Sequence, residues 1–337
     1  MTNSLVDRSH VERLLLLAAA LRTGMIDALA DGEAATASAV AASISGDLRA
    51  CRLVLEALVE VGVVEIVDPN PIPADSQTVE VGGEPRYRLT SLGRRHLVDP
   101  GPELERAWLV HQAGKARGWM DLPHIIAHGR RPTGAGHARD LHAFAHTMAE
   151  GDPSPIDEVV DLVLAYCDPL PSPGNMLDVG GGLGHVARRF GLRGLPGVVF
   201  DTPRITRIAR EHLGERSAAI RFVAGDFNQS LPPGPFAVAY LGNVFHIYAP
   251  DRNQALTRRV FQAIVPGGAL AAVDYVWGRS PRARMFAVDM LQATDEGGVW
   301  TEDEYRGWLT AAGFEDVRIV DLTLGGNQLI LGRRPRA

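Results

Sequence analysis

The sequence predicts an α/β protein: a doubly wound sheet of seven strands, preceded by a smaller, mostly helical module. Three observations carry that prediction. Apolar runs of strand length alternate with helical patterns through the C-terminal half. One of these runs ends at Val179 and opens directly onto glycines at alternate positions, Gly180, Gly182 and Gly184. Residues 5–98 instead carry Leu, Val and Ala at helical spacing. At 337 residues the chain is long for one domain, and 46% apolar with 22% charged residues is an ordinary globular composition. The reading is therefore modular: residues 5–98, a helical linker over 99–167, and the doubly wound domain over 168–337.

In the first module, helical spacing recurs in Val11–Leu17 and again in Leu53–Val59. Thr36 is expected to cap a helix over Ala37–Ile44, and Asp47 to cap the next. Val61–Val67 and Tyr87–Leu89 read as short strands around an insert, Asp68–Pro85, rich in Pro, Gly and Asp. That order is a winged helix with a loose wing. Its candidate recognition helix, Asp47–Val61, carries Arg49 and Arg52 but also Glu56 and Glu60, among mostly apolar residues. A helix that reads a DNA groove presents more basic and amide side chains, and a net charge of −6 opposes phosphate binding. No nucleic-acid partner is expected, and a ligand-sensing DNA-binding protein is the remote alternative.

The linker is rich in His and aromatic residues, among them Trp108, His111, Trp119, His124, His128, His137, His142, Phe144, His146 and Met148. His142 and His146 share a helical face, but a metal would need a third ligand, with His111, His124 or Asp140 as candidates. A polar helix stripe explains the pair more simply, and no metal is expected. Cys51 and Cys167 are too few and too far apart for a disulfide framework or a zinc site.

The doubly wound domain follows the breaker run Asp168–Gly174. Its first strand ends at Asp178-Val179, and a helix begins at His185. In a dinucleotide fingerprint the third glycine falls three places after the second, so that a pyrophosphate sits on the helix N-terminus; here it falls two places after. Asp178 would moreover repel a pyrophosphate, yet it suits a ligand carrying an ammonium and a sulfonium, which points to S-adenosylmethionine. The second strand, Gly197–Phe200, ends at Asp201, placed to accept both ribose hydroxyls. The third, Ile220–Gly225, ends at Asp226-Phe227, an acid for the adenine amino group beside a ring that packs on the base. The fourth, Phe236–Leu241, is followed by Asn243, His246 and Tyr248. Then come a helix over Arg252–Ile264, the turn Pro266-Gly267-Gly268, a strand ending at Asp274, helices over Arg282–Gln292 and Glu302–Ala312, and closing strands Asp316–Leu322 and Asn327–Leu331.

These segments resemble the class I S-adenosylmethionine-dependent methyltransferases, and among them the O-methyltransferases similar to plant caffeate and bacterial antibiotic enzymes. Asp178–Gly184 looks like that family's cofactor motif, Asp201-Thr202-Pro203 its ribose segment, Asp226-Phe227 its adenine pair, and Asn243–Tyr248 the segment holding its general base. The resemblance implies a Rossmann-like catalytic domain, a winged-helix dimerisation domain and a homodimer. It implies His246 as the base, Asn243 and Tyr248 beside the cofactor, and Asp274 as the first supporting acid. Ile247 replaces the family's usual Asp after the base, and Val299-Trp300-Thr301 stands where the family has Glu-Arg-Thr. The second acid is therefore missing or displaced, with Glu296 as its candidate. By the same resemblance Trp108, His111, Trp119, Phe144, Met148, Met285 and Met290 line the acceptor pocket.

The implied activity is O-methylation of a hydroxylated aromatic small molecule, a secondary metabolite or polyketide. The altered neighbours of His246 keep open carbon or nitrogen methylation, or a non-methylating decarboxylation or cyclisation on the same fold. Residues 1–10 lack a basic segment leading into an apolar one, and Leu14–Leu21 is too short to cross a bilayer, so a cytoplasmic protein with no membrane partner is expected.

Overall fold

The computed structural model describes residues 8–67, 84–101, 103–132, 141–147, 153–213 and 220–336. They form two compact units, Met1–Ala116 and Arg117–Ala337.

The first unit holds α1 (Arg8–Arg22), β1 (Ala35–Thr36), α2 (Ala37–Ser43), α3 (Leu48–Val61), β2 (Val64–Val67), β3 (Arg86–Leu89), α4 (Ser91–Leu97) and most of α5 (Arg106–Met120). Both expected caps are present: Thr36 accepts from the Ala39 N–H and Asp47 from the Ala50 N–H. The three strands pair antiparallel in the order β1-β3-β2. The expected strand Val61–Val67 is shorter in the structure, and one strand was not foreseen. Val61 belongs to α3, which ends at Gly62 in a left-handed conformation (φ 88°), so the strand starts only at Val64; and the two-residue β1 carries no pattern long enough to be seen in the sequence. Most of the Asp68–Pro85 insert lies outside the described residues. Tyr87 is buried among Leu55, Leu58 and Leu89, and its hydroxyl donates to Glu56 Oε1 at 2.6 Å. Burial, followed by that acid, pushes the phenol up to about 12.

The second unit takes in the end of α5, then α6 (Leu122–His128), α7 (Leu141–Thr147) and α8 (Ser154–Tyr166). There follow β4 (Met176–Val179), α9 (His185–Leu192), β5 (Gly197–Asp201), α10 (Pro203–Leu213), β6 (Ile220–Ala224), β7 (Phe236–Gly242), α11 (Pro250–Ala263) and β8 (Ile264–Asp274). The chain ends in β9 (Val276–Trp277), α12 (Ala283–Ala293), β10 (Trp300–Thr301), α13 (Glu302–Ala312), β11 (Glu315–Asp321) and β12 (Gln328–Arg333). The sheet has seven strands in the order β11-β12-β8-β7-β4-β5-β6, all running one way except β12, which is antiparallel to both its neighbours. One face is covered by apolar side chains of α8, α9 and α10, the other by α11 and α13. Sequence order reverses between β4 and β7, and such a switch point opens a crevice at the carboxyl ends of the strands.

The expected turn before the fifth parallel strand is absorbed into that strand. Pro266-Gly267-Gly268 lies inside β8, where Gly267 (φ 82°) and a register shift against β7 absorb the irregularity as a bulge. Trp300 pairs with Val276 and Thr301 with Trp277, joining β10 to β9 in a two-residue parallel sheet, too short to leave a periodic signal.

Candidate active site

The glycine loop follows β4 directly. Gly180, Gly182 and Gly184 all hold positive φ (71°, 56° and 79°), a region that a Cβ disfavours. Among the described residues no atom beyond the adjoining chain stands within 4 Å of where a Cβ on Gly182 would lie, so this position borders open space. Gly181 is constrained differently: its Cβ would come within 2.5 Å of the Asp178 carboxyl carbon. Asp178 is 1% exposed, and its Oδ2 has no hydrogen-bond partner among the described residues. Burial, and after it the nearby Asp201, pushes its carboxyl up to about 7. Asp201 braces the loop, with Oδ2 accepting from the Gly182 N–H at 3.0 Å and Oδ1 from the Thr202 N–H at 2.6 Å. Burial raises the Asp201 carboxyl despite those bonds. Among the described residues neither acid has a basic side chain in an ion pair with it, so the two together favour a positive charge.

Phe227 lies 3.6 Å from the Cβ position of Gly180, and its ring meets Tyr248 edge-on with centroids 5.8 Å apart. Asn228, beside it, donates to the Tyr248 hydroxyl at 3.1 Å and takes its own N–H to Asp226 Oδ1. Asp226 itself is exposed. Asn243 ends β7 in the left-handed region (φ 58°) and donates its N–H to Val273 O, turning the chain out of the sheet. The structure thus gathers Asp178, Asp201, Phe227 and Tyr248 around the glycine loop, at the crevice end of β4 to β7.

Beyond Asn243 the chain makes a one-turn 3-10 helix, Phe245–Ile247. His246 is buried there, with Nδ1 2.8 Å from Asp274 Oδ1 and its backbone N–H donating to Asp274 Oδ2 at 3.1 Å. Tyr275 N–H also donates to Oδ1, at 2.9 Å. An ionised carboxylate only accepts, so the imidazole proton is assigned to Nδ1 and the Nε2 lone pair is left to accept. Phe286 of α12 packs edge-on against the imidazole at 4.9 Å and lies 4.3 Å from the Tyr275 ring. The other expected acid, Glu296, is placed in a half-exposed ion pair with Arg252 at 3.3 Å.

Several residues that shape this corner were not foreseen. Phe245 O accepts from Asn253 Nδ2 at 2.8 Å and from Trp300 Nε1 at 2.9 Å, and His246 O accepts from the Gly298 N–H at 3.0 Å. Gly297 passes so close that its Cβ would come 2.3 Å from His246 O. Only Trp300 had a signal, as a departure from the family pattern.

The expected acceptor-pocket residues scatter more widely. Met290 is buried one turn along α12 from Phe286, on the same face. Met285 is 63% exposed. Trp119 and Phe144 are half-buried in the second unit, whereas Trp108 and His111 lie in the first, with Trp108 exposed. Met148, His137 and Asp140 lie outside the described residues. The His142 and His146 rings stack 6.4 Å apart, with His146 edge-on to His212. Among the described residues no group of three His, Cys, Asp or Glu is arranged to hold a metal, and no helix is long and apolar enough to cross a membrane.

Comparison with known proteins supplies the context of this site. A family model for an O-methyltransferase dimerisation domain matches residues 11–99, and one for an O-methyltransferase domain matches residues 123–315. A tetracenomycin polyketide synthesis 8-O-methyl transferase of Streptomyces glaucescens is 32% identical over 171 residues, covering 48% of this chain and 50% of its own. This chain therefore spans about half the length of that relative. The acetylserotonin O-methyltransferase of Mus musculus molossinus is 31% identical over 348 residues, 94% of this chain and 84% of its own. Among solved structures, human N-acetylserotonin methyltransferase in complex with S-adenosylmethionine superposes with a TM-score of 0.74 at 23% identity, covering 99% of this chain and all of that one, and shows the shared fold.

Proposed function

The chain belongs to the O-methyltransferase family, and we propose that it methylates a phenolic oxygen of a small aromatic molecule with His246 taking the proton. It is an S-adenosylmethionine-dependent O-methyltransferase that acts on a small molecule. The crevice fits that cofactor on its own chemistry: the unpartnered Asp178 oxygen is an acceptor waiting for a donor, and Gly182 borders open space. Asp178 and Asp201 would hold the ammonium and the ribose, and Asp226, Phe227 and Tyr248 the adenine. When bound, S-adenosylmethionine supplies an electrophilic methyl group on a sulfonium.

The protein's share of the chemistry is then to place an oxygen and remove its proton. The single observation that carries this reading is the Asp274–His246 pair, a carboxylate on Nδ1 that leaves Nε2 to accept. A free phenol has a pKa of about 10 and an imidazole about 6.5, so the transfer is uphill by roughly 5 kcal/mol in water. Asp274 offsets much of that by stabilising the imidazolium as it forms. Phe286 and Tyr275 form an aromatic wall beside the ring, which supports an aromatic acceptor. Relatives named for acetylserotonin and for tetracenomycin polyketide synthesis support a small molecule methylated at oxygen.

Incubation with methyl-labelled S-adenosylmethionine and a panel of hydroxylated aromatics tests the reading. Label on a phenolic oxygen is the expected result; label on carbon or nitrogen, or cofactor-dependent decarboxylation without transfer, overturns it. Residues 11–99 match a dimerisation domain, and we propose a homodimer built through them. Light scattering showing a monomer at micromolar concentration would refute that.

A further inference from the structure

The one-turn helix carrying His246 is poorly held by its own backbone, since its two i→i+3 bonds measure 3.1 Å and 3.4 Å. Its orientation comes from elsewhere. Asn253 is fully buried, and its Nδ2 reaches both Phe245 O at 2.8 Å and Tyr248 O at 3.1 Å. The amide cannot be flipped, because its oxygen would then face two carbonyl oxygens. Among the described residues Asn253 Oδ1 is buried without a partner, an unfavourable arrangement that the two bonds from its Nδ2 offset.

Trp300 reaches the same turn from the other side. Its Nε1–H donates to Phe245 O at 2.9 Å, and its ring is set edge-on against Trp308 with centroids 6.0 Å apart. Trp300 is also the residue of β10 that pairs with Val276, two positions after Asp274. One residue therefore ties together the turn that carries His246 and the short strand that begins two residues after its acid. Gly298 N–H on His246 O adds a third restraint from the same segment.

We propose that Trp300 and Asn253 are the positioning residues of the proton acceptor: their N–H groups clamp the Phe245 carbonyl and so fix the distance between His246 and Asp274. This rests on the reading of His246 as base. Errors of about 1 Å in such an alignment cost roughly a hundredfold in rate.

Trp300→Phe keeps an aromatic ring, though a smaller one, and removes the N–H; Asn253→Ser provides a second variant should the first fold poorly. Affinity for S-adenosylhomocysteine should stay within about twofold by calorimetry, with kcat reduced 10- to 100-fold and KM little changed. The loss should shrink on a nitro-substituted analogue of the phenolic acceptor, which ionises without help. In proton NMR of the protein loaded with S-adenosylhomocysteine, the low-field Nδ1–H signal of the His246–Asp274 bond should broaden or vanish in the variants. A sharp signal with unchanged kcat in both variants overturns the clamp. So does a loss equal for weak and acidic phenols that tracks melting temperature and cofactor affinity. His246→Ala turning over normally would instead remove the base reading, and the NMR signal then decides the clamp alone.

Discussion

Replacing Asp274 by Asn is the most direct perturbation of the proposed chemistry, because it removes a charge while keeping the shape. The carboxylate takes three donors: His246 Nδ1 at 2.8 Å, His246 N–H at 3.1 Å and Tyr275 N–H at 2.9 Å. An amide offers one acceptor oxygen and two donors. Whichever way it is turned, at least one backbone N–H or the Nδ1–H meets another donor. That conflict should destabilise the fold by about 1–3 kcal/mol. If the amide NH2 faces Nδ1, the imidazole proton moves to Nε2 and the base is lost outright.

The electrostatic loss adds to this. For charge centres about 4 Å apart at an effective dielectric near 20, the ion pair that forms during proton transfer gains about 4 kcal/mol, or nearly three decades in rate. General bases as a class supply about 10²–10⁴, so Asp274→Asn should lower kcat by roughly 10²–10³ and never by more than His246→Ala. The assay is steady-state turnover at saturating S-adenosylmethionine, accompanied by S-adenosylhomocysteine affinity and melting temperature. A kcat within threefold of wild type, with both accompaniments unchanged, would refute the reasoning and favour an acceptor that ionises by its own acidity or attacks through carbon.

What was legible in the sequence follows from the range over which each feature is encoded. The glycine loop, Asp201, Asp226 and His246 sit where apolar runs stop, so a parallel sheet delivers them to one crevice without further information. Thr36 and Asp47 were equally legible, since a cap acts on the next three residues. The clamp on Phe245 was not, because Trp300 meets it across 55 positions and only through the β9-β10 pairing. Gly181 and Gly297 look like spare flexibility in the sequence; their need for glycine comes from Asp178 and from His246 O, which are pressed against them. Side-chain direction on α12 was likewise hidden: Phe286 faces the imidazole, while its neighbour Met285, expected in the pocket, stands exposed. The linker reading, 99–167, is crossed by the division between the two units, within α5; a continuous helical pattern cannot show where contacts change owner.

Asp201→Ala should weaken S-adenosylhomocysteine binding about 10- to 30-fold by calorimetry, since two ribose hydrogen bonds of roughly 1 kcal/mol each are lost; unchanged affinity removes the ribose assignment. Gly297→Ala forces a Cβ to within 2.3 Å of His246 O, and should lower kcat at least tenfold with cofactor affinity retained; a normal rate would show that the turn can yield. The last prediction concerns pH. The Asp178 carboxyl is raised to about 7 from an ordinary 3.8, by burial first and Asp201 second, with Tyr240 its direct cross-strand neighbour. A folded-state pKa above the unfolded one means stability that is complete below about pH 4 and lost as pH rises through 7. The ligand-free protein should therefore lose melting temperature progressively from about pH 4 to about pH 7.5, and in the accessible part of that range from about pH 5.5 upward. A ligand carrying an ammonium favours the ionised form, so the stabilisation by S-adenosylhomocysteine should grow over the same interval, with proton release on binding near pH 6.5. Asp178→Asn should flatten both trends. Wild-type melting temperatures and ligand shifts that stay level from pH 5.5 to 8, with binding intact, would mean that Asp178 is already ionised in the empty crevice and that some other group supplies its missing partner.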